Sequence, residues 1–244
     1  MISDDSLYDQ LARIVDQISP FTYVVAIYYK DKFTPEYLYT NIPNGSKEEI
    51  VDHYVAGSYL LDPWYQAYLT GIADGLYILD DVAPDDFLSS DFYLEYYRKL
   101  KINNEFTFLV NLTESEQLHF AFGIQVHKVD EKTYTRLRMI APLLISILKK
   151  HWDYRGGHKS ETCSKQFIHS HVLKVFASFG GPLITNRERQ VALLIIRGYS
   201  LKAISDLLEL AFGTVKVHCK NLYKKLNINS QSELFSLFID DLNE

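Results

Sequence analysis

Along the first 154 residues the spacing of apolar positions switches back and forth between two periods. From about Asp4 to Ile18 the apolar residues are Leu7, Leu11, Ile14, Val15 and Ile18, a helical spacing with one buried stripe. Pro20 stops that helix. The run FTYVVAIYYK (21–30) is β-branched and aromatic and reads as a strand, and a second strand is expected over Glu36 to Ile42 before the turn cluster IPNGS. Ser46 and Glu49 form a capping box for a helix through about Ser58. Asp62-Pro63 opens the next helix, with aspartate at the N-cap and proline at the first helical position. A short strand GLYIL (75–79) and a helix over 89–102 follow. EFTFLVNL (105–112) and QLHFAFGIQVH (117–127) pair as a hairpin across TESE, and a long helix runs from about Asp130 to Trp152.

The resulting order, α-β-β-α-α-β-α-β-β-α, predicts an α+β fold: an antiparallel sheet flanked by helices. In pattern it resembles PAS and GAF sensor domains. The polar, glycine-containing stretch YRGGHKSETCSK (154–165) reads as a linker. The expected layout is a sensor-like domain over 1–153, a linker with a short helix through Phe179 over 154–182, and a second domain over 183–244. From Leu183 onward the periodicity is helical throughout. Thr185 with Glu188 boxes the start of one helix and Gly198 ends it; Ser200 caps a second, a third begins near Gly213, and a fourth spans about Ser230 to Leu242. The C-terminal domain is therefore expected to be all-α with four helices, the middle two joined as a helix-turn-helix.

Charge sharpens this division. The formal net charge is −6, yet residues 1–179 hold 17 Lys/Arg against 24 Asp/Glu and residues 180–244 hold 8 against 7. Within the second region TVKVHCKNLYKKL (214–226) carries four lysines, one histidine and no acid. At helical spacing Val215, Cys219, Leu222 and Leu226 share one face, which leaves Lys216, Val217, Lys220, Asn221 and Lys224 on the other. A basic stripe on a single helix fits the major groove of double-stranded DNA.

These residues closely resemble the LuxR/NarL-type DNA-binding domain of bacterial transcription regulators. The pattern L-T-x-R-E, a glycine, S-x-K-x-I-A, T-V-K-x-H and K-L appears as Leu183, Thr185 to Glu188, Gly198, Ser200 to Ser205, Thr214 to His218, and Lys225-Leu226. The resemblance implies that Lys216, Val217 and Lys220 lie in the major groove, with Thr214 and Lys202 near phosphates and Lys224 on the same stripe. It also implies a homodimer paired through the last helix, where Leu234, Leu237 and Phe238 are apolar. The serine usual before the recognition helix is Ala211 here, and the basic residue frequent in the last connection is Gln231.

For the first domain, a phosphoacceptor receiver is disfavoured because the chain opens on a helix and lacks βα alternation. The autoinducer sensors of the same family compare better, since HYVAGSYLLDPWY supplies spaced aromatics and an Asp-Pro pair, although a tryptophan downstream of that pair is missing. A small-molecule effector site is expected at Tyr23, Tyr28, Tyr54, Tyr59, Asp62, Trp64 and Tyr65, and its aromatic and acidic character favours an amphipathic or cationic ligand. Two alternatives stand beside it: Asp62 serves as a helix cap within an aromatic core, or the domain is a protein-interaction module. His151, His158, His169 and His171 with Cys163 match no compact zinc spacing, and Cys219 reads as a small core residue. No catalytic motif occurs, so neither enzyme activity nor a cofactor is expected. The longest apolar run, Met139 to Leu148, is about half a membrane span. The acidic N-terminus is unlike a signal peptide, and two cysteines do not make a disulfide framework; a cytoplasmic location is expected.

Overall fold

The computed structural model describes residues 4–31, 34–126, 128–154, 170 and 174–243. His158, Cys163, His169 and His171 lie outside them, as does most of the expected linker. The first domain runs α1 (Asp4–Asp16), β1 (Tyr23–Lys30), β2 (Glu36–Thr40), α2 (Asn44–Val55), α3 (Pro63–Leu69), β3 (Gly75–Ile78), α4 (Leu79–Val82), β4 (Asn104–Asn111), β5 (Glu116–Ile124) and α5 (Glu131–Tyr154). The strands form one antiparallel sheet in the order β2-β1-β5-β4-β3. A helical turn α6 over 174–178 precedes α7 (Asn186–Ile196), α8 (Leu201–Leu207), α9 (Phe212–Leu226) and α10 (Gln231–Asn243).

Two expectations change at element level. Helix α2 starts at Asn44, directly after Pro43, rather than at a Ser46 cap. The continuous helix expected over 89–102 is broken into a 3₁₀ turn at Phe87–Ser89 and a π-helical turn at Tyr93–Tyr97. The wider turn lets crowded rings stack at 4.7 Å between Phe92 and Tyr96 and at 5.6 Å between Tyr93 and Tyr97.

Strand periodicity makes the two faces of the sheet chemically different. In register across β1, β5 and β4, one face carries Val24, Phe122 and Phe106, then Ala26, Phe120 and Phe108. This face packs on α1 and α5 through Tyr8, Leu11, Val15, Leu137, Leu144 and Leu148. The other face carries Tyr23, Gly123 and Glu105, then Val25, Ala121 and Thr107, then Ile27, His119 and Leu109. Helices α2 and α3 and the 87–102 segment cover it. Polar groups inside this second layer are what position the site.

The second core is continuous with that of the C-terminal helical region: Phe87 and Phe92 belong to the same buried cluster as Ile195, Ile196 and Phe238. Asp86 N–H donates to the Gly198 carbonyl at 3.0 Å. Asp85 receives the Ser200 N–H at 3.0 Å and the Ser200 hydroxyl at 2.5 Å, and Asp91 receives the Ser232 hydroxyl at 2.8 Å. Gly198 itself is left-handed at φ +90°, and a Cβ there would lie 2.9 Å from the Phe87 Cα, so only glycine permits this approach.

Candidate functional sites in the two domains

The recognition stripe is built from the packing of α9. Val215 and Leu222 are fully buried against α7 and α8, and Cys219 is half-buried, its thiol pushed upward in pKa by burial. One turn away, Lys216, Val217, Lys220, Asn221 and Lys224 are exposed, as are Thr214 and Lys202. Val217 is 57% exposed, an outlay of apolar surface that a thymine methyl can cover. Lys216 Nζ rests 4.6 Å above the ring of half-exposed Phe212, at the start of the helix. Lys225 leaves the stripe: it pairs with buried Glu188 at 2.7 Å, while Glu188 also accepts the Thr185 N–H at 2.7 Å. That capping box therefore ties α7 to the end of α9. Arg189 donates to the Phe179 and Gly181 carbonyls at 2.8 and 2.9 Å, and Arg187 to the Leu208 carbonyl at 3.1 Å, so both arginines brace loops. Ala211 stands at the N-cap of α9 with no side-chain hydrogen bond.

In the first domain, a cavity of about 90 Å³ lies between the polar sheet face and its helical cover. Tyr23, Tyr54, Asp62 and Trp64 line it, together with Glu105 and His119. Tyr28 does not: in a strand, residue 28 points opposite to residues 23, 25, 27 and 29. Its ring packs on Trp152 at 4.7 Å and its hydroxyl donates to Glu116 at 2.7 Å. Tyr59 and Tyr65 are buried beside the cavity, packed edge to face at 4.8 Å, without forming its wall. Small side chains make the space, since Ala121 and Gly123 form its floor where larger residues would fill it.

Asp62 has two duties at once. Oδ1 accepts the Trp64 backbone N–H at 2.9 Å as the N-cap of α3, and Oδ2 accepts the Tyr54 hydroxyl at 2.6 Å, which sits 3.0 Å from the Tyr29 hydroxyl. Burial pushes its carboxyl up to about 6, against the opposing pull of those two donors. Glu105, on β4, is pushed up to about 7 by burial, opposed by a hydrogen bond from Tyr97 and reinforced by the nearby charge of Asp62. The buried Trp64 indole N–H is directed at the same carboxyl and opposes the rise together with Tyr97.

His119 can be assigned a tautomer. The Gln117 side-chain nitrogen donates to Asn111 Oδ1 at 2.8 Å, so Gln117 Oε1 faces His119 Nε2 and takes its proton. Nδ1 is then a bare acceptor, and it is buried with no partner. Burial drops the imidazole to about 3, which keeps it neutral. The sequence carried a signal for these residues: Glu105-x-Thr107 and Gln117-x-His119 place polar side chains at period two within otherwise apolar strands.

Comparison with known proteins agrees with both halves. A putative HTH-type transcriptional regulator of Aeromonas salmonicida is 29% identical over 190 residues, covering 74% of this chain and 94% of that protein. The VqsR LBD domain of Pseudomonas aeruginosa superposes with TM-score 0.56 at 22% identity, over 61% of this chain and 88% of that one. SdiA in complex with octanoyl-rac-glycerol superposes with TM-score 0.50 at 17% identity, over 97% and 88% of the two chains. These likenesses show an α+β fold joined to a helical domain. Residues 182–238 match the family model described as bacterial regulatory proteins, luxR family. The residues matched to the luxR family of bacterial regulatory proteins hold the capped α7, the α8–α9 helix-turn-helix and the exposed basic stripe.

Proposed function

We propose that the chain is a cytoplasmic, homodimeric transcription regulator that reads a specific DNA sequence through α9 and is controlled by a small molecule bound in the first domain. The observation that carries this reading is the placement of the 85–102 segment. Phe92, Tyr96 and Tyr97 wall the cavity, while Asp85, Asp86 and Asp91, at the beginning of the same segment, hold Gly198, Ser200 and Ser232. A ligand that reshapes the wall changes the contacts made to the DNA-binding helices. It shifts their equilibrium only by as much as its affinities for the two arrangements differ.

A second copy of the chain is the proposed dimer partner. Met139 and Leu143, one turn apart on α5, are 77% and 63% exposed, and an outward apolar pair of this kind favours self-association.

The test combines two readouts on the full chain. Selection from a random duplex pool identifies the operator, and thermal unfolding against a metabolite panel identifies stabilising compounds. Ala121→Leu, which fills the cavity floor, is expected to abolish the thermal response while leaving operator selection intact. A response unaffected by Ala121→Leu would remove the cavity from the mechanism, and no response to any compound would favour a protein partner for this domain.

A further inference from the structure

We infer that the ligand of this cavity is a small primary amine, held as its ammonium ion between Asp62 and Glu105. The inference rests on the ligand-controlled reading above and specifies its effector.

Charge is the first argument. Among the described residues, two carboxylates line the cavity and no lysine or arginine does. Both are at least nine-tenths buried, at 5% and 8% exposure. Two acids in one desolvated space ionise together only when a cation joins them.

Hydrogen-bond accounting is the second. Donors on the cavity side are largely committed: the Tyr54 hydroxyl goes to Asp62 and the Tyr97 hydroxyl to Glu105. Among the described residues the remaining valences include those of the carboxylates and of bare His119 Nδ1, all acceptors, while the Trp64 indole N–H is directed at Glu105 and the Tyr96 hydroxyl lies against Ser58. An ammonium group supplies three donors.

Shape is the third. Tyr29, Tyr37, Tyr54, Trp64 and Tyr96 place aromatic rings around the same space, surfaces that attract a cation when water is excluded. At about 90 Å³ the space is smaller than the roughly 150 Å³ that accommodates benzene, so a ligand of a handful of heavy atoms fills it.

Ethanolamine is the probe, ethylene glycol its neutral counterpart of equal heavy-atom count, and sodium chloride the ionic-strength control. Binding is read on the full chain as a rise in the thermal midpoint and as a change in Trp64 emission in a Trp152→Phe background. Ethanolamine is expected to stabilise the parent and ethylene glycol is not. Glu105→Gln is expected to weaken ethanolamine by tenfold or more, and Glu105→Asp, which keeps the charge but shortens its reach, by less. Equal stabilisation by ethylene glycol, retained in Glu105→Gln, would overturn the amine and leave small-molecule control standing. So would a metabolite from the panel that binds where ethanolamine does not. Silence of ethanolamine, ethylene glycol and the whole panel would overturn both.

Discussion

Single residues in this protein act through what they are denied as much as through what they touch. Glu105 is denied water, and its raised pKa means that the folded state holds its proton more tightly than the unfolded chain does. Stability contributed this way is present below the unfolded value of about 4.5 and is lost as pH rises through about 7. Asp62, raised to about 6, acts in the same direction. The titratable groups facing the pair are Tyr29, Tyr37, Tyr54, Tyr96, Tyr97 and His119. The tyrosines are raised in pKa, above all by burial, and His119 stays neutral, so none of them charges in this window. Glu105→Gln is therefore expected to stabilise the ligand-free chain near pH 8 relative to the parent, on the order of 2 kcal/mol, with the difference vanishing near pH 4. Denaturant unfolding at the two pH values measures it. On the DNA side, Lys220→Ala is expected to cost about 1–3 kcal/mol on the selected operator if the lysine reads a base, and to lower affinity evenly with a shallower salt slope if it meets only phosphate. Unchanged binding in the Lys216→Ala/Lys220→Ala double variant would exclude α9 as the reading helix. Asp62 was legible from the Asp-Pro pair because a cap has a local signature. Glu105 and His119 were not singled out because their meaning depends on which sheet face each strand presents, and the same parity carries Tyr28 to the far side.

At the scale of elements, the regular pieces follow from periodicity and caps, and the irregular ones from crowding. Helices α7 and α8 begin at Thr185 and Ser200, the residues whose side chains accept their helices' free N–H groups. Helix α9 lacks such a group. Ala211 has the extended backbone of an N-cap, at φ −63° and ψ 139°, but nothing to offer the helix. Ala211→Ser is expected to stabilise the DNA-binding domain by about 1 kcal/mol, read from its denaturation midpoint. The π-helical turn at Tyr93–Tyr97 could not be read from the sequence, whose apolar spacing looks helical; only the packing of five neighbouring rings on a concave surface selects the wider turn.

For the molecule as a whole, the two domains share a core rather than a tether. Gly198→Ala tests this directly, because the added methyl meets the Phe87 backbone and the left-handed conformation is itself unfavourable by about 1 kcal/mol. Calorimetry is expected to show the parent unfolding in one transition and the variant in two, as the domains separate. A single unaltered transition would show that the contact contributes little to cooperativity. None of this interface was visible beforehand, since Asp85, Asp86 and Asp91 look like ordinary solvent-facing acids until their partners more than a hundred residues away are known.

The lysine stripe of α9 stays open to solvent while Asp85, Asp86 and Asp91 hold the DNA-binding helices. The docked form is thus not masked, and what docking fixes is direction. In the proposed dimer the first domains would be the body of a caliper and the two α9 helices its jaws, set to one separation on the double helix. Inserting half a helical turn, about 5 base pairs, between operator half-sites would turn one jaw to the wrong side of the duplex. Docked chains are then expected to lose the site, and chains freed from the first domain to bend and follow it.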